Sequence, residues 1–347
     1  MVAPSPGSSD AGPIHGSAPQ GGQLGDRTGM PGHRAMVEPA HAQPALAADP
    51  LPRSGILSDL LELTKPRIVT MILITAVVAA LIAAGSAVSL GMLVHLLIGT
   101  ALVAGSAGAM NQVWEFRVDA LMERTRRRPI PAGRLGLPLS ACFGMAIGVL
   151  GTAYLYAAFG PIPALVAVAT WLLYVPIYTP LKVRSEWNTT VGALSGALPI
   201  MIGYTAAGGS LGDVSGWLLV GVLFAWQYPP FMAIAWLCRR QYDEAGFQMT
   251  TTLEPTGRRA GWQSVAGMAM LTLCLIALAV ILTSGAWLAT AALIGFLLLA
   301  TYPMTAAAVR FALRRDDLTA RRLLRASLLQ LPGSLMLLTI AALIFGS

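Results

Sequence analysis

The sequence is short of charge. Of its 347 residues only 11% are Asp, Glu, Lys or Arg, while 55% are hydrophobic and the mean hydropathy is +0.66. Soluble domains carry about 25% charged residues, so a water-soluble globule is excluded for most of the chain. Cysteine is also scarce. Cys142, Cys238 and Cys274 form no CxxC pair and no Cys/His cluster, which argues against a disulfide framework or a zinc site. Of the four histidines, His15, His33 and His41 fall in the amino-terminal tail, leaving His95 alone in the apolar body. One histidine cannot build a permanent bis-histidine haem centre. Residues 1–55 have no apolar run and lack the basic and apolar regions of a signal peptide. They are rich in Gly, Pro, Ala and Ser and are expected to be a disordered tail preceding one transmembrane domain over 56–347.

What is present is a series of apolar runs, each long enough to cross a bilayer as a helix. They lie near 68–86, 90–112, 139–159, 163–180, 189–208, 215–237, 262–283, 286–309 and 326–345. The expected fold is therefore all-α and polytopic, with about nine transmembrane helices. The net charge of +7 would suggest nucleic acid in a soluble protein. Here its distribution gives another cause, and no nucleic-acid partner is expected. All 23 basic residues fall before the first span or in alternate connections, and none falls on the other side. The positive-inside rule then places the amino terminus and charged loops in the cytoplasm and the carboxyl terminus outside. Only Asp213 among the acidic residues of the body falls on the outer side. Carboxylates follow topology weakly, so their gathering on the basic face has a separate reason.

Four segments of that face could carry chemistry. In "NQVWEFRVDALMERTRRRP", Asn111, Glu115, Asp119 and Glu123 recur every four residues, a spacing that aligns them on one helix face. Oxygen ligands of this kind suit Mg²⁺ bridged to a phosphate, and Arg124, Arg126, Arg127 and Arg128 beside them suit phosphate oxygens. A helix leaving the membrane and solvating itself through ion pairs would look similar. In "LTKPRI", Lys65 and Arg67 flank Pro66, where interfacial cations commonly snorkel to headgroups. "YTPLKVRSEWN" supplies Tyr178, Lys182, Arg184 and Asn188, followed by Gly192, Gly196 and Gly203, which allow close helix contact or a substrate beside the backbone. "WQYPPFMAIAWLCRRQYDEAGFQM" places Gln227 inside a span, with Pro229 and Pro230 expected to break the helix there, and Tyr242 beyond. Asp316 and Asp317, beside Arg314 and Arg315, read as a solvated loop. The mixed charge of these segments on one face fits a diphosphate bound through Mg²⁺, with an apolar tail between helices.

Together these segments resemble the UbiA superfamily of intramembrane prenyltransferases, and within it the members that farnesylate haem. The likeness covers residues 57–345. Its most specific part is the run Asn111, Glu115, Asp119, Met122, Arg124, Thr125, Arg128 and Pro129. "LTKPR" at 63–67, "YTPLKVR" at 178–184, Trp226, Gln227, Pro229 and Phe231, and Tyr242, Ala245, Gly246 and Met249 are similar as well. The resemblance implies a nine-helix bundle with a cavity open to the cytoplasmic side. It implies transfer of a farnesyl group from farnesyl diphosphate to a vinyl group of haem b, with Mg²⁺ as cofactor and haem as substrate. By position, Asn111, Glu115 and Asp119 are the catalytic and metal-binding residues. Lys65, Arg67, Arg124, Arg128 and Lys182 bind the diphosphate, and Tyr178, Asn188, Gln227 and Tyr242 line the acceptor cavity. It also implies downstream partners in haem A synthesis or oxidase assembly, while the tail's lack of an obvious import signal makes a bacterial inner membrane the expected location. Two departures stand out. Pro230 occupies a position where the pattern has histidine, and Arg240 and Gln241 precede Tyr242 where it has acidic residues. A prenyltransferase for another apolar acceptor, such as a quinone precursor or porphyrin-type ring, fits the same features. A transporter or scaffold would explain the spans but not the carboxylates and arginines confined to the interface.

Overall fold

The computed structural model describes residues 55–284 and 286–345. The tail expected over 1–55 therefore lies, except for Gly55, outside the described residues. Among the described residues all regular structure is helical. A short helix α1 (Ile56–Leu63) leads into α2 (Pro66–Ala84), α3 (Leu90–Asp119) and α4 (Leu137–Phe159). The next crossing starts as α5 (Pro161–Leu172), passes through a π-helical stretch at Leu173–Tyr178 and ends in α6 (Thr179–Leu181). Then come α7 (Asn188–Ala197), α8 (Pro199–Ala206), α9 (Val214–Leu237), two short helices α10 (Arg239–Glu244) and α11 (Thr250–Leu253), and the long α12 (Arg258–Leu282), α13 (Trp287–Arg314) and α14 (Asp317–Phe345).

Eight stretches among the described residues are long and apolar enough to cross a membrane. The ninth expected span, near 189–208, is present as α7 and α8, interrupted at Leu198 before Pro199. Proline has no amide hydrogen and restricts the residue before it, so the break falls where the sequence changes helix-forming rules. The expected break at Pro229 and Pro230 does not occur, because α9 runs unbroken through both. Here α12 comes close enough that a side chain on Gly267 would meet Tyr228, the Ala225 carbonyl and the Pro229 ring. Packing thus covers the carbonyl whose usual amide partner Pro229 lacks. Several helices also run past the apolar stretches that revealed them. At 30 residues α3 is roughly 45 Å long, against about 30 Å of hydrocarbon. The loop expected after the eighth span is mostly helical, since α13 reaches Arg314 and α14 starts at Asp317, with Arg315 left-handed between them.

Two apolar clusters hold the bundle. The larger joins α9, α12, α13 and α14, and the smaller joins α3, α4 and α5. Helices α2 and α8 contribute to both, through Ala76, Ala79 and Ala80 on one side and Ile200, Met201 and Ile202 on the other. The buried face of α2 is made mostly of small residues, Thr75, Ala76, Ala79 and Ala80 beside Ile82, while Ile68, Met71 and Ile74 are exposed. Such inversion suits a membrane, where lipid solvates large apolar side chains and tight contact favours small ones. The closest approach is Gly203 of α8, where an added Cβ would fall on the backbone carbonyl of Ala76. We therefore expect Gly203→Val to part α2 from α8 and cost about 1–3 kcal/mol, read as a lower melting temperature in detergent or nanodiscs. An unchanged melting temperature would contradict this packing.

Candidate functional site

The site is built on the last turns of α3. Asn111, Glu115 and Asp119 lie one turn apart and are buried, at 1%, 6% and 1% exposure. They line a cavity of about 130 Å³ together with Lys65, Met122, Arg124, Thr125, Arg128, Tyr178, Lys182, Tyr242, Phe247 and Met249. Buried carboxylates need partners, and each has one. Lys182 Nζ lies 2.7 Å from Glu115 Oε1, and Arg128 Nη1 donates to Asp119 Oδ2 at 2.6 Å. Glu123, fourth in the expected ladder, is exposed and lies outside the cavity, because the helix ends at Asp119 and the chain turns.

Each cation arrives by a local device. Lys65 has a left-handed backbone (φ 55°) immediately before Pro66, the first residue of α2. That conformation is costly for a side-chain-bearing residue. It sends Lys65 into the cavity, where its ammonium donates to Asn111 Oδ1, while Arg67, two residues on, is exposed. Arg67 thus does not line the cavity, from which the turn at Lys65 sets it apart. Asn111 is fixed from its other end, where Nδ2 donates to Thr179 Oγ1 at 3.1 Å. The π-helical stretch contains Pro176 and resets the helix phase, so that Tyr178 and Lys182 both face the cavity. Lys182 Nζ stands 4.6 Å from the centre of the Tyr178 ring. Burial opposes its charge, but Tyr178, Glu115 and Tyr174 outweigh burial and hold the ammonium above its ordinary pKa. Arg128 and Arg124 come from the turns after α3, where Thr125 Oγ1 donates to the Asp119 carbonyl.

The segment after α9 supplies the facing wall. Tyr242, Ala245 and Phe247 cluster with Met122, and Arg124 Nη2 donates to Tyr242 Oη at 3.4 Å. Asn188 does not line the cavity. It ties that wall to the Lys182 turn, donating to the carbonyls of Ser185 and Gln248 at 2.7 and 2.8 Å, while Gln248 N donates to the Lys182 carbonyl. Gln227 also lies elsewhere, donating to the carbonyls of Ala193 and Leu223 within the bundle, and Pro230 is buried on α9, which contributes no residue to the cavity. Neither residue lines this chamber: helix packing engages Gln227 and backbone tethering engages Asn188. Gly192 and Gly196 serve the same packing, for a Cβ there would overlap Tyr178 and Gln227 respectively. Asp316 and Asp317 are not simply solvated. Asp316 Oδ1 accepts from Thr319 N at the start of α14, and Asp317 Oδ1 accepts from Trp236 Nε1 and Arg239 Nη1. Sequence reasoning missed Thr179, Phe247 and the π-helix; only Pro176 hinted at the last.

The cavity is cationic overall: four basic side chains, Lys65, Arg124, Arg128 and Lys182, face two carboxylates. Among the described residues no three His, Cys, Asp or Glu side chains gather in one place. An electropositive chamber of this size at the edge of an α-helical membrane bundle suits an anionic group and offers a small number of hard oxygen donors.

Comparison with known proteins places this arrangement. Residues 72–329 match the model of the UbiA prenyltransferase family, and the chain belongs to that family. It is 52% identical to the protoheme IX farnesyltransferase of Rhodopirellula baltica, over 82% of this chain and 99% of that protein. It is 36% identical to the protoheme IX farnesyltransferase of Solibacter usitatus, over 80% and 96%. The fold is similar to that of a digeranylgeranylglyceryl phosphate synthase (TM-score 0.64, 14% identity, 83% of this chain and 99% of that one). It is also similar to a UbiA homologue from Archaeoglobus fulgidus bound to DMAPP and Mg²⁺ (TM-score 0.58, 16% identity, 81% and 99%).

Burial, reinforced by Lys182 and Arg128, pushes the Lys65 pKa down from 10.5 to about 7. Its charge is therefore complete only well below pH 7, about half lost near pH 7, and lost as the pH rises further. A bound anion favours the protonated form, so affinity for inorganic diphosphate should fall between pH 7 and 9, by at most about tenfold per pH unit for one linked proton. Lys65→Arg should flatten the profile. Calorimetric titration in buffers of different ionisation enthalpy checks both, and pH-independent affinity in the natural protein would count against the placement of Lys65.

Proposed function

We propose that this chain transfers a farnesyl group from farnesyl diphosphate to a vinyl group of haem b, forming haem O. The observation that carries the reading is the pairing of Glu115 and Asp119 with an excess of cations in one buried chamber, within a family member 52% identical to a protoheme IX farnesyltransferase. The chamber offers both kinds of partner that a metal diphosphate requires. The carboxylates present hard oxygen atoms that suit Mg²⁺, and Glu115 and Asp119 would hold it. Asn111 differs from them, since its Oδ1 already accepts from Lys65, and its first task is to post that lysine. Mg²⁺, when bound, supplies positive charge to the diphosphate oxygens.

The remaining work falls to the chain's own side chains. Lys65, Arg124, Arg128 and Lys182 surround the space where the leaving diphosphate gains negative charge as the C1–O bond breaks and its electron pair goes to oxygen. Donors already aimed at developing charge lower the barrier most. The vinyl π electrons form the new bond to C1, water adds to the resulting cation, and its proton is released to give the hydroxyl. Tyr178 and Tyr242 shape the chamber wall, and Tyr242 with Phe247 excludes water from the head group. We further propose a bacterial inner membrane, with the chamber on the cytoplasmic side and haem O passed to later steps of oxidase haem assembly. The excess of basic residues on that face supports this orientation.

Membranes containing the protein, supplied with haem b, farnesyl diphosphate and Mg²⁺, should form haem O detectable by mass spectrometry. Asp119→Asn should lower turnover by roughly 10²–10³-fold, the scale for losing one preorganised electrostatic contact. Asp316→Asn, at the start of α14 and outside the chamber, should leave it nearly unchanged. Equal losses in both variants, or no haem O from the natural protein, would overturn the assignment. Topology has its own check. A cysteine at Ser210 should react with an impermeant maleimide from the periplasmic side, and one at Arg240 only after the membrane is opened. Labelling of both from the same side would overturn the orientation.

A further inference from the structure

Helix α1 has an apolar surface that the other described residues leave uncovered. Ile56, Leu57 and Leu61 are 66%, 72% and 56% exposed. They span an arc of about 140° at the helical 100° per residue, while Leu60 packs inward against the cluster of Leu63, Ala109, Ile130 and Leu135. On the other side Asp59 and Leu63 are buried, and Ser58 and Glu62 are polar. Arg134 pairs with both Asp59 and Glu62 at 2.6 Å, which fixes the rotation of the helix about its axis. Its end is pinned as well. Gln112 Nε2 donates to the Leu63 carbonyl at 3.0 Å, and Gly108 packs so closely that an added Cβ would touch the Thr64 carbonyl.

These contacts set the depth of α1. Exposed tryptophans mark the boundary between lipid and water, and Trp114 (53% exposed) is two residues, about 3 Å of helix rise, beyond Gln112 on α3. The end of α1 therefore sits on the hydrocarbon side of Trp114. Trp187 and Trp262, also exposed, mark the same end of the bundle at the starts of α7 and α12. Ile68, Met71 and Ile74 in the first turns of α2 are exposed as well. Arg67 and Arg117, both exposed nearby, suit anionic headgroups.

We propose that α1 lies in the leaflet on the chamber side, with Ile56, Leu57 and Leu61 set into the boundary between headgroups and acyl chains, and that this seating holds Lys65 in the chamber. The partner is the lipid surface itself. The link to Lys65 is covalent and short: one residue, Thr64, separates α1 from the left-handed Lys65, so a lifted α1 withdraws the ammonium from Asn111. The second half of the inference rests on the function proposed above; the first does not.

Spin labels on the full chain in nanodiscs of phosphatidylcholine and phosphatidylglycerol test the surface directly. In a C142S/C238S/C274S background, labels at Leu57→Cys and Leu61→Cys should be accessible to oxygen and shielded from a water-soluble nickel complex. A label at Ser58→Cys should show the reverse. Labels at 57 and 61 exposed to nickel would overturn the lipid contact. So would burial from both reagents that is relieved by removing residues 1–50 or by diluting the protein in lipid, since the cover would then be the tail or a second copy. For the seating of Lys65, Leu57→Glu with Leu61→Glu should raise KM for farnesyl diphosphate several-fold with little change in kcat. Leu57→Ala with Leu61→Ala should do so more weakly and serves if the charged pair fails to insert. An unchanged KM beside lipid-accessible labels would overturn the seating alone. Absence of haem O from the natural protein would instead strike the proposed function and leave the label result standing.

Discussion

The structure depends on one requirement: charges withdrawn from water at the membrane edge must be matched by other charges or by fixed dipoles. Glu115 and Asp119 are buried where bulk water does not reach them, and an unpaired buried carboxylate costs several kcal/mol. Lys182 and Arg128 answer them from separate parts of the chain. The other two cations are held by neutral oxygens, Lys65 by the Asn111 carboxamide and Arg124 by the Tyr242 hydroxyl. That asymmetry leaves the chamber with four basic side chains against two carboxylates, an excess that suits an anionic ligand. The same groups that make the fold costly thus define what it binds.

Much of this was legible in the sequence because it depends on period and composition. Nine apolar runs and the one-sided basic residues gave the membrane bundle, and the four-residue spacing brought Asn111, Glu115 and Asp119 to one face. The misreadings each have a local physical cause. Glu123 continued the spacing on paper, but a helix has to end, and this one ends at Asp119. Lys65 and Arg67 looked equivalent beside Pro66, yet a single left-handed residue sends one inward and leaves the other outside. The prolines of α9 have no break to mark, because Gly267 on a helix some forty positions later closes over the gap. No pattern within α9 could have revealed that.

The π-helical stretch was illegible for a related reason. An extra residue in a turn is a tertiary compromise, stabilised by what it lets the next residues touch. Here it places Tyr178 over Lys182 and lets Thr179 brace Asn111, while Gly192 leaves room for the Tyr178 ring. The glycines of α7, which on sequence could have bordered a substrate, are spent on this packing. Local rules mark where the backbone departs from regular helix, and only the assembled neighbours say why.

The size of the chamber carries the argument one step further. At about 130 Å³ it accommodates a head group, whereas sites for whole drug-sized molecules enclose about 300–1,000 Å³. A fifteen-carbon chain and a macrocycle therefore do not fit within the chamber itself. The covering wall is held by a small apolar cluster, Met122 with Tyr242, Ala245 and Phe247, separate from the two clusters that hold the bundle. Small satellite clusters open at lower cost than a main core. Parting Met122 from Tyr242 and Phe247 also separates the turn after α3 from the segment after α9, the two segments that close the chamber. The polar half of the site is thus rigid by necessity, since its charges must stay matched, and the apolar half is where movement costs least.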